Sequence, residues 1–194
     1  MHFSLHSQKS KFPRNAIFLD RDGTINIEKN YLYRTEDWEW IPGAIEAIKK
    51  FKQAGFLLVV VTNQAGIARG LYSSEDVERL HSYVQDELFK IGKVIDAFYY
   101  CPHHPAFTDL CSCRKPSTEM LRHAATELNI NLKTSWMIGD KLIDVEAGKA
   151  LGVNTLMVRT GHGKVEERQL VSSDKIDVVD TLIEAAEHII SATG

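Results

Sequence analysis

Short apolar runs alternate along this chain with longer stretches in which apolar residues return every three or four positions. The runs AIFLD (16–20), FLLVVVT (56–62), DAFYYC (96–101), SWMIGD (135–140) and NTLMVRT (154–160) have strand length, and DVV (177–179) reads as a shorter strand. FLLVVVT is apolar up to its last position, as strands buried on both faces of a parallel sheet are. Helical patterns lie between these runs. Pro42 opens one in which Ile45, Ile48 and Phe51 share a face, and Gly55 is placed to end it. SSEDVERLHSYVQDELFKIG begins with a serine cap and an acidic first turn and runs to Gly92. STEMLRHAATELNI, KLIDVEAGKALG and TLIEAAEHIIS complete the helices. This alternation predicts a Rossmann-like α/β fold, an open parallel sheet with helices on both faces.

At 194 residues the chain has the length of one domain with a sizeable core, read over residues 15–194. Residues 1–14 are polar and mildly basic, lack the apolar core of a signal peptide, and read as a loose tail. A net charge of -3 gives no electrostatic footprint for nucleic acid. The run FLLVVV is far too short to span a bilayer. The expectation is a cytoplasmic monomer with neither nucleic acid nor membrane as partner.

Ligands of open parallel sheets sit at the carboxyl ends of the strands, so the polar residues found there are read together. AIFLD ends at Asp20, with Asp22 just beyond it, and FLLVVVT ends at Thr62. SWMIGD ends at Asp140, followed by Lys141 and Asp144. In CRKP, Arg114 and Lys115 stand before the helix that Pro116 and Ser117 open. Acids, a hydroxyl and cations therefore converge on one rim. Carboxylate oxygens suit Mg²⁺, while the cations and the hydroxyl suit a phosphoryl group. Taken singly, each residue has a structural reading: a helix cap, a threonine closing a buried strand, a lysine in solvent. The joint order D-x-D-G-T, V-V-T-N-Q, R-K-P and I-G-D-K-x-x-D favours chemistry.

With these four motifs the chain resembles the haloacid dehalogenase-like phosphatases over residues 15–190. The resemblance implies that Asp20 is the nucleophile and takes the phosphoryl group as an aspartyl phosphate. It makes Asp22 the general acid for the leaving alkoxide and then the base for water. Asp20, the backbone carbonyl of Asp22 and Asp140 would hold Mg²⁺, and Thr62 and Lys115 would stabilise the transferring phosphoryl oxygens. Asp144 would orient Lys115 or a metal-bound water.

All three cysteines lie in CPHHPAFTDLCSCRKP (101–116). A cytoplasmic chain has little use for disulfides, whereas Cys101, His103, Cys111 and Cys113 make a closed tetrahedral set for structural zinc. The loop 101–113 is thus read as a zinc-binding insert, with His104 as the less favoured alternative to His103. Bystander cysteines and a redox pair at Cys111 and Cys113 are the other readings. A domain this small has no room for a large cap. With the zinc loop, the stretches FLDRDGTIN, VVTNQAGIARG, YYCPHHP, CSCRKP and IGDKLIDVEAG resemble the heptose-bisphosphate phosphatase branch of the family and its histidinol-phosphate relatives. That resemblance implies a sugar-bisphosphate substrate, a heptose 1,7-bisphosphate losing its 7-phosphate on the way to lipopolysaccharide. It places substrate contacts at Arg21, Glu28, Lys29, Asn30, Tyr31, Asn63, Gln64, Ala65, Arg114 and Lys141. Histidinol phosphate is the alternative within the class. A phospho-accepting signalling domain is the alternative outside it, and Asp22 counts against that, because a built-in acid/base shortens the life of a phosphoenzyme. A zinc-bearing nucleic-acid module would need a basic, aromatic surface.

Overall fold

The apolar runs meet in one seven-stranded sheet in the computed structural model, which describes residues 2–4, 12–170 and 176–193. The strands are β1 His2–Ser4, β2 Ala16–Leu19, β3 Leu57–Asn63, β4 Ala97–Cys101, β5 Trp136–Gly139, β6 Asn154–Val158 and β7 Asp177–Val179. The helices are α1 Ala44–Gln53, α2 Ala65–Ala68, α3 Ser74–Phe89, α4 Glu119–Leu128, α5 Leu142–Lys149, α6 Gly163–Glu166 and α7 Leu182–Thr193. Across the sheet the order is β1-β4-β3-β2-β5-β6-β7. Every neighbouring pair is parallel except β1 with β4.

The N-terminal tail departs from expectation. His2–Ser4 lies antiparallel to Ala97–Tyr99, and Arg14 shares backbone hydrogen bonds with Asn129 and Asn131. A strand of three residues shows no periodicity in sequence, and an edge strand needs only one partner. Residues 1 and 5–11 lie outside the described residues.

Alternation along the strands divides the core in two. Ile17, Leu19, Leu58 and Val60 pack with Ile48 and Phe51 of α1, Leu88 of α3 and Ile189 of α7. Phe18, Val59 and Val61 pack on the other face with Leu121 of α4 and Ala147 of α5. Fully burying each large apolar side chain is worth about 1.5–3 kcal/mol. The helix ends shift slightly from the sequence reading. Gly43 adopts φ 84°, so α1 begins at Ala44 rather than Pro42, and its inner face is Ala44, Ala47, Ile48 and Phe51, with Ile45 half-buried. α3 has its serine cap: Ser73 Oγ accepts from the Asp76 N–H at 3.2 Å, and Asp76 Oδ2 accepts from the Ser73 N–H at 2.9 Å. No helix among the described residues is long and apolar enough to cross a membrane.

The chain leaves β2 to build β3 and β4 on one side, then returns to place β5 on the other. The carboxyl ends of β2 and β5 therefore flank a topological switch point, where such sheets bind ligands.

Candidate active site

Asp20 follows β2 directly, and its N–H donates to Ile138 O of β5 at 2.9 Å. Asp140 follows β5. Oxygens of Asp20, Asp140 and Asp144 lie within 4.8 Å of one another, and all three residues are buried. Two glycines allow this crowding. Gly23 and Gly161 adopt φ of +84° and +54°, and a Cβ on them would come within 2.3 Å and 2.2 Å of Asp140 Oδ2. That oxygen accepts from the His162 N–H at 2.7 Å, whereas Asp140 Oδ1 is buried without a hydrogen-bond partner. Burial, followed by the charge of Asp20, pushes the Asp140 carboxyl up to about 8. A buried acid cluster with an orphaned oxygen fits a hard divalent cation such as Mg²⁺. The Asp22 carboxylate stands outside this cluster, which leaves only its backbone carbonyl for the metal role inferred from sequence.

This arrangement gives a pH prediction. Between 3.8 and about 8, folding keeps a proton on Asp140 that the unfolded chain releases, so the metal-free protein loses stability as pH rises through that window. Mg²⁺ competes with the same proton. A fixed Mg²⁺ concentration is therefore expected to raise Tm several-fold more at pH 8 than at pH 6. Equal gains would remove Asp140 from the metal site.

Lys115 is 2% exposed, and its Nζ lies 2.9 Å from Asp20 Oδ1 and 2.6 Å from Asp144 Oδ1 while donating to Val61 O at 2.7 Å. Burial disfavours the charged lysine, but Asp144 and Asp20 outweigh it, and the Lys115 pKa is raised. Asp144 makes the contact with Lys115 expected of it, and it also stands in the acid cluster. Burial opposes ionisation of Asp20, yet the charges of Lys115 and Lys141 bring its pKa below the ordinary value. Asp20 is thus held as a carboxylate. Thr62 Oγ1 accepts from Gln64 Nε2 at 2.9 Å, which leaves the hydroxyl proton free to donate.

A cavity of about 250 Å³ opens above these groups, lined by Asp20, Asp22, Thr62 and Lys115. Glu28, Asn30, Tyr31, Asn63, Gln64, Ala65, Arg114 and Lys141 also line it. Arg21 and Lys29, both assigned to substrate from sequence, do not. Arg21 is fully buried, and its guanidinium is taken up by the Asp22 carboxylate and Gln64 Oε1 instead of facing the cavity. Lys29 pairs at the surface with Glu39 at 3.1 Å. Asn63 and Gln64 reach the cavity, but their amides act on the protein. Asn63 clamps the Lys115 backbone at 3.0 and 3.1 Å, and Gln64 Nε2 donates to Asp22 Oδ2 at 3.0 Å. Lys141 faces Glu28 across the rim at 3.5 Å. Asn30 and Tyr31 adopt φ of 48° and 65°, which turns this loop over the cavity mouth.

The sequence reading missed Arg69, Tyr72, His104 and Ile143 on the cavity wall. Arg69 lies within VVTNQAGIARG, and its guanidinium sits 5.5 Å from the Tyr31 ring centroid and 4.6 Å from that of Phe107. Tyr72 has no motif, and its OH donates to Gln64 Oε1 at 2.7 Å.

The four expected zinc ligands come together. Ligand atoms of Cys101, His103, Cys111 and Cys113 lie within 4.8 Å of one another, and the cysteines are free. His103 presents Nδ1, 3.3 Å from Cys113 Sγ and 3.8 Å from Cys101 Sγ. Three sulfurs and one imidazole fit tetrahedral zinc and leave no position for substrate. His103 O also accepts from Arg114 Nη1 at 3.2 Å, so this loop aims a cavity cation. The protein is expected to purify with about one zinc. Stripping it and restoring Mg²⁺ should raise KM more than it lowers kcat. Elemental analysis without zinc, in protein prepared without chelators, would overturn the assignment.

A family model described as HAD-hydrolase-like matches residues 112–185. The D-glycero-beta-D-manno-heptose-1,7-bisphosphate 7-phosphatase of Yersinia pestis is 43% identical over 152 residues, 75% of this chain and 81% of the relative. The Escherichia coli K12 protein of that name is 45% identical over 152 residues, 75% of this chain and 80% of its own. A crystal structure of D,D-heptose 1,7-bisphosphate phosphatase from B. bronchiseptica, complexed with magnesium and phosphate, superposes with a TM-score of 0.85 at 32% identity. It covers 92% of this chain and 99% of that one.

Proposed function

The chain belongs to the haloacid dehalogenase-like phosphatases, and we propose that it hydrolyses the 7-phosphate of D-glycero-D-manno-heptose 1,7-bisphosphate. The observation that carries the substrate is a surplus of cations. Lys115 is committed to Asp20 and Asp144, and Lys141 to Glu28 and the same acids, while Arg114 and Arg69 also line the cavity and would meet a second phosphate.

In this reading the Asp20 carboxylate attacks phosphorus, and an O–P bond forms as the bond to the sugar oxygen breaks. Asp22 gives its proton to that departing oxygen. Water then attacks the aspartyl phosphate as Asp22 takes a proton from it, which releases phosphate and restores Asp20. Thr62 donates to a phosphoryl oxygen, and Lys115 places positive charge beside the reacting carboxylate. Mg²⁺, when held by Asp20, Asp140 and the Asp22 carbonyl, neutralises the acids and the phosphate dianion so that they can approach.

Histidinol phosphate carries an ammonium where the bisphosphate carries an anion, and these cations would repel it. The expected order of kcat/KM therefore puts heptose 1,7-bisphosphate first among sugar bisphosphates and histidinol phosphate. Hydrogen bonds to charged groups contribute about 1.5–3 kcal/mol, or roughly 10- to 150-fold. Arg114→Ala should lower kcat/KM for the bisphosphate by that much and alter p-nitrophenyl phosphate hydrolysis far less. Equal losses would move Arg114 to general phosphoryl binding or folding, and a preference for histidinol phosphate would replace the substrate. The free cysteines fit a reducing cytoplasm, where this reading places the enzyme as a monomer.

A further inference from the structure

We propose that His81 and Arg21 form a positioning chain that holds the Asp22 carboxylate where it delivers its proton to the leaving oxygen. The inference rests on the acid role given to Asp22 above. Arg21 is fully buried, and its Nη2 lies 3.0 and 2.9 Å from the two Asp22 oxygens, with Nε 3.2 Å from Oδ1. Nη2 also donates to Leu32 O at 3.0 Å and faces Gln64 Oε1 at 3.3 Å. The remaining arm, Nη1, lies 3.4 Å from His81 Nε2. A guanidinium only donates, so Nε2 accepts, and the ring is neutral with its proton on Nδ1.

The anchor is rigid. His81 is 1% exposed in the middle of α3, and its ring stacks on Phe98 of β4 with centroids 4.5 Å apart at 19°. Burial, and then the charge of Arg21, hold the His81 pKa well below the ordinary value. A neutral acceptor suits this position. A carboxylate at residue 81 would compete with Asp22 for the guanidinium, and an apolar side chain would leave Nη1 buried without a partner. The bond to Leu32 O ties the same guanidinium to the loop that presents Glu28, Asn30 and Tyr31 to the cavity. The acid and the substrate loop therefore share one support.

An alkoxide is too basic to leave without a proton, whereas p-nitrophenolate leaves unaided. A fault in positioning the acid must therefore appear selectively. The experiment compares kcat/KM for heptose 1,7-bisphosphate and p-nitrophenyl phosphate, with folding checked by circular dichroism. General acid catalysis contributes about 10²–10⁴-fold. His81→Phe, which keeps the stacking ring but removes the acceptor, should forfeit roughly 10- to 100-fold of this on the sugar ester and less than about threefold on the aryl ester. His81→Gln, which restores an acceptor, should recover most of the loss. Folded His81→Phe with equal losses on both esters, or with none on the sugar ester, overturns the proposal. If His81→Phe does not fold, Arg21→Lys decides. It keeps a charge beside Asp22 but cannot span to His81 and Leu32, and an unchanged ratio of the two esters overturns the chain. Asp22→Asn separates this inference from its premise. Wild-type turnover of both esters with equal losses in Asp22→Asn would remove the acid role, and the positioning role with it.

Discussion

Asp20→Asn is expected to abolish turnover, with kcat below about one hundredth of wild type, beyond the lower end of what one acid/base group supplies. The amide matches the carboxylate in shape but is neither a nucleophile nor a strong Mg²⁺ ligand. The substitution also gives Lys115 Nζ a neutral amide oxygen in place of the carboxylate 2.9 Å away. Stability should stay level or fall, because the variant loses a buried ion-pair partner of Lys115 while it relieves the repulsion between Asp20 and Asp140. Rapid-quench labelling from a phosphorylated substrate should give no acid-stable phosphoenzyme. A variant that retained more than a hundredth of kcat with its Tm unchanged would end the case for covalent catalysis at Asp20.

Lys115→Met is expected to damage both activity and stability. The lysine ion-pairs with two buried acids, Asp20 and Asp144, and methionine fills its volume without its charge. Removing one partner of a buried ion pair costs about 3–5 kcal/mol. In a chain of this length about 1 kcal/mol shifts Tm by roughly 2–4 °C, so the expected loss is about 6–20 °C. The sign of the pH dependence follows from the acids. Without the lysine their folded pKa values rise, so at low pH they take up protons and the loss shrinks, whereas at pH 8 it is felt in full. Loss of one preorganised donor near the phosphoryl group should lower kcat by a further 10²–10³-fold, roughly what an oxyanion-hole donor contributes. A Tm loss under about 2 °C at pH 8 would mean that water or another cation already satisfies the acids.

The parts of this site that were legible in the sequence share one property. Asp20, Thr62 and Asp140 each stand where an apolar run stops, and the parallel sheet gathers such positions at one rim. Lys115 needed its motif neighbours, because nothing local shows a lysine crossing to β2. Adjacency in a motif does not show that Arg21 is buried behind the cavity wall, where it holds the Asp22 carboxylate instead of lining the cavity. At Asn63 and Gln64 composition cannot tell an amide that meets a ligand from one that clamps a backbone or an acid. Tyr72, His81 and Gly161 were beyond local reading, since each gains its role from a residue far away in the chain. The cluster of three cysteines and His103 was readable because the four donors fall within one short loop. The strand at His2–Ser4 was not, because three residues carry no period.

The Ala16 N–H donates to Ser135 Oγ at 2.9 Å, a bond that joins residues 119 positions apart and seats β2 against β5. A ribosome adding about 5–20 residues per second delivers that partner roughly 6–24 seconds after β2 itself emerges. Once β3 has paired with it, β2 keeps one unsatisfied edge for the rest of that interval, a template for pairing with a neighbouring chain on the same message. Heat applied during translation should therefore cost more active enzyme than the same heat applied to the finished protein.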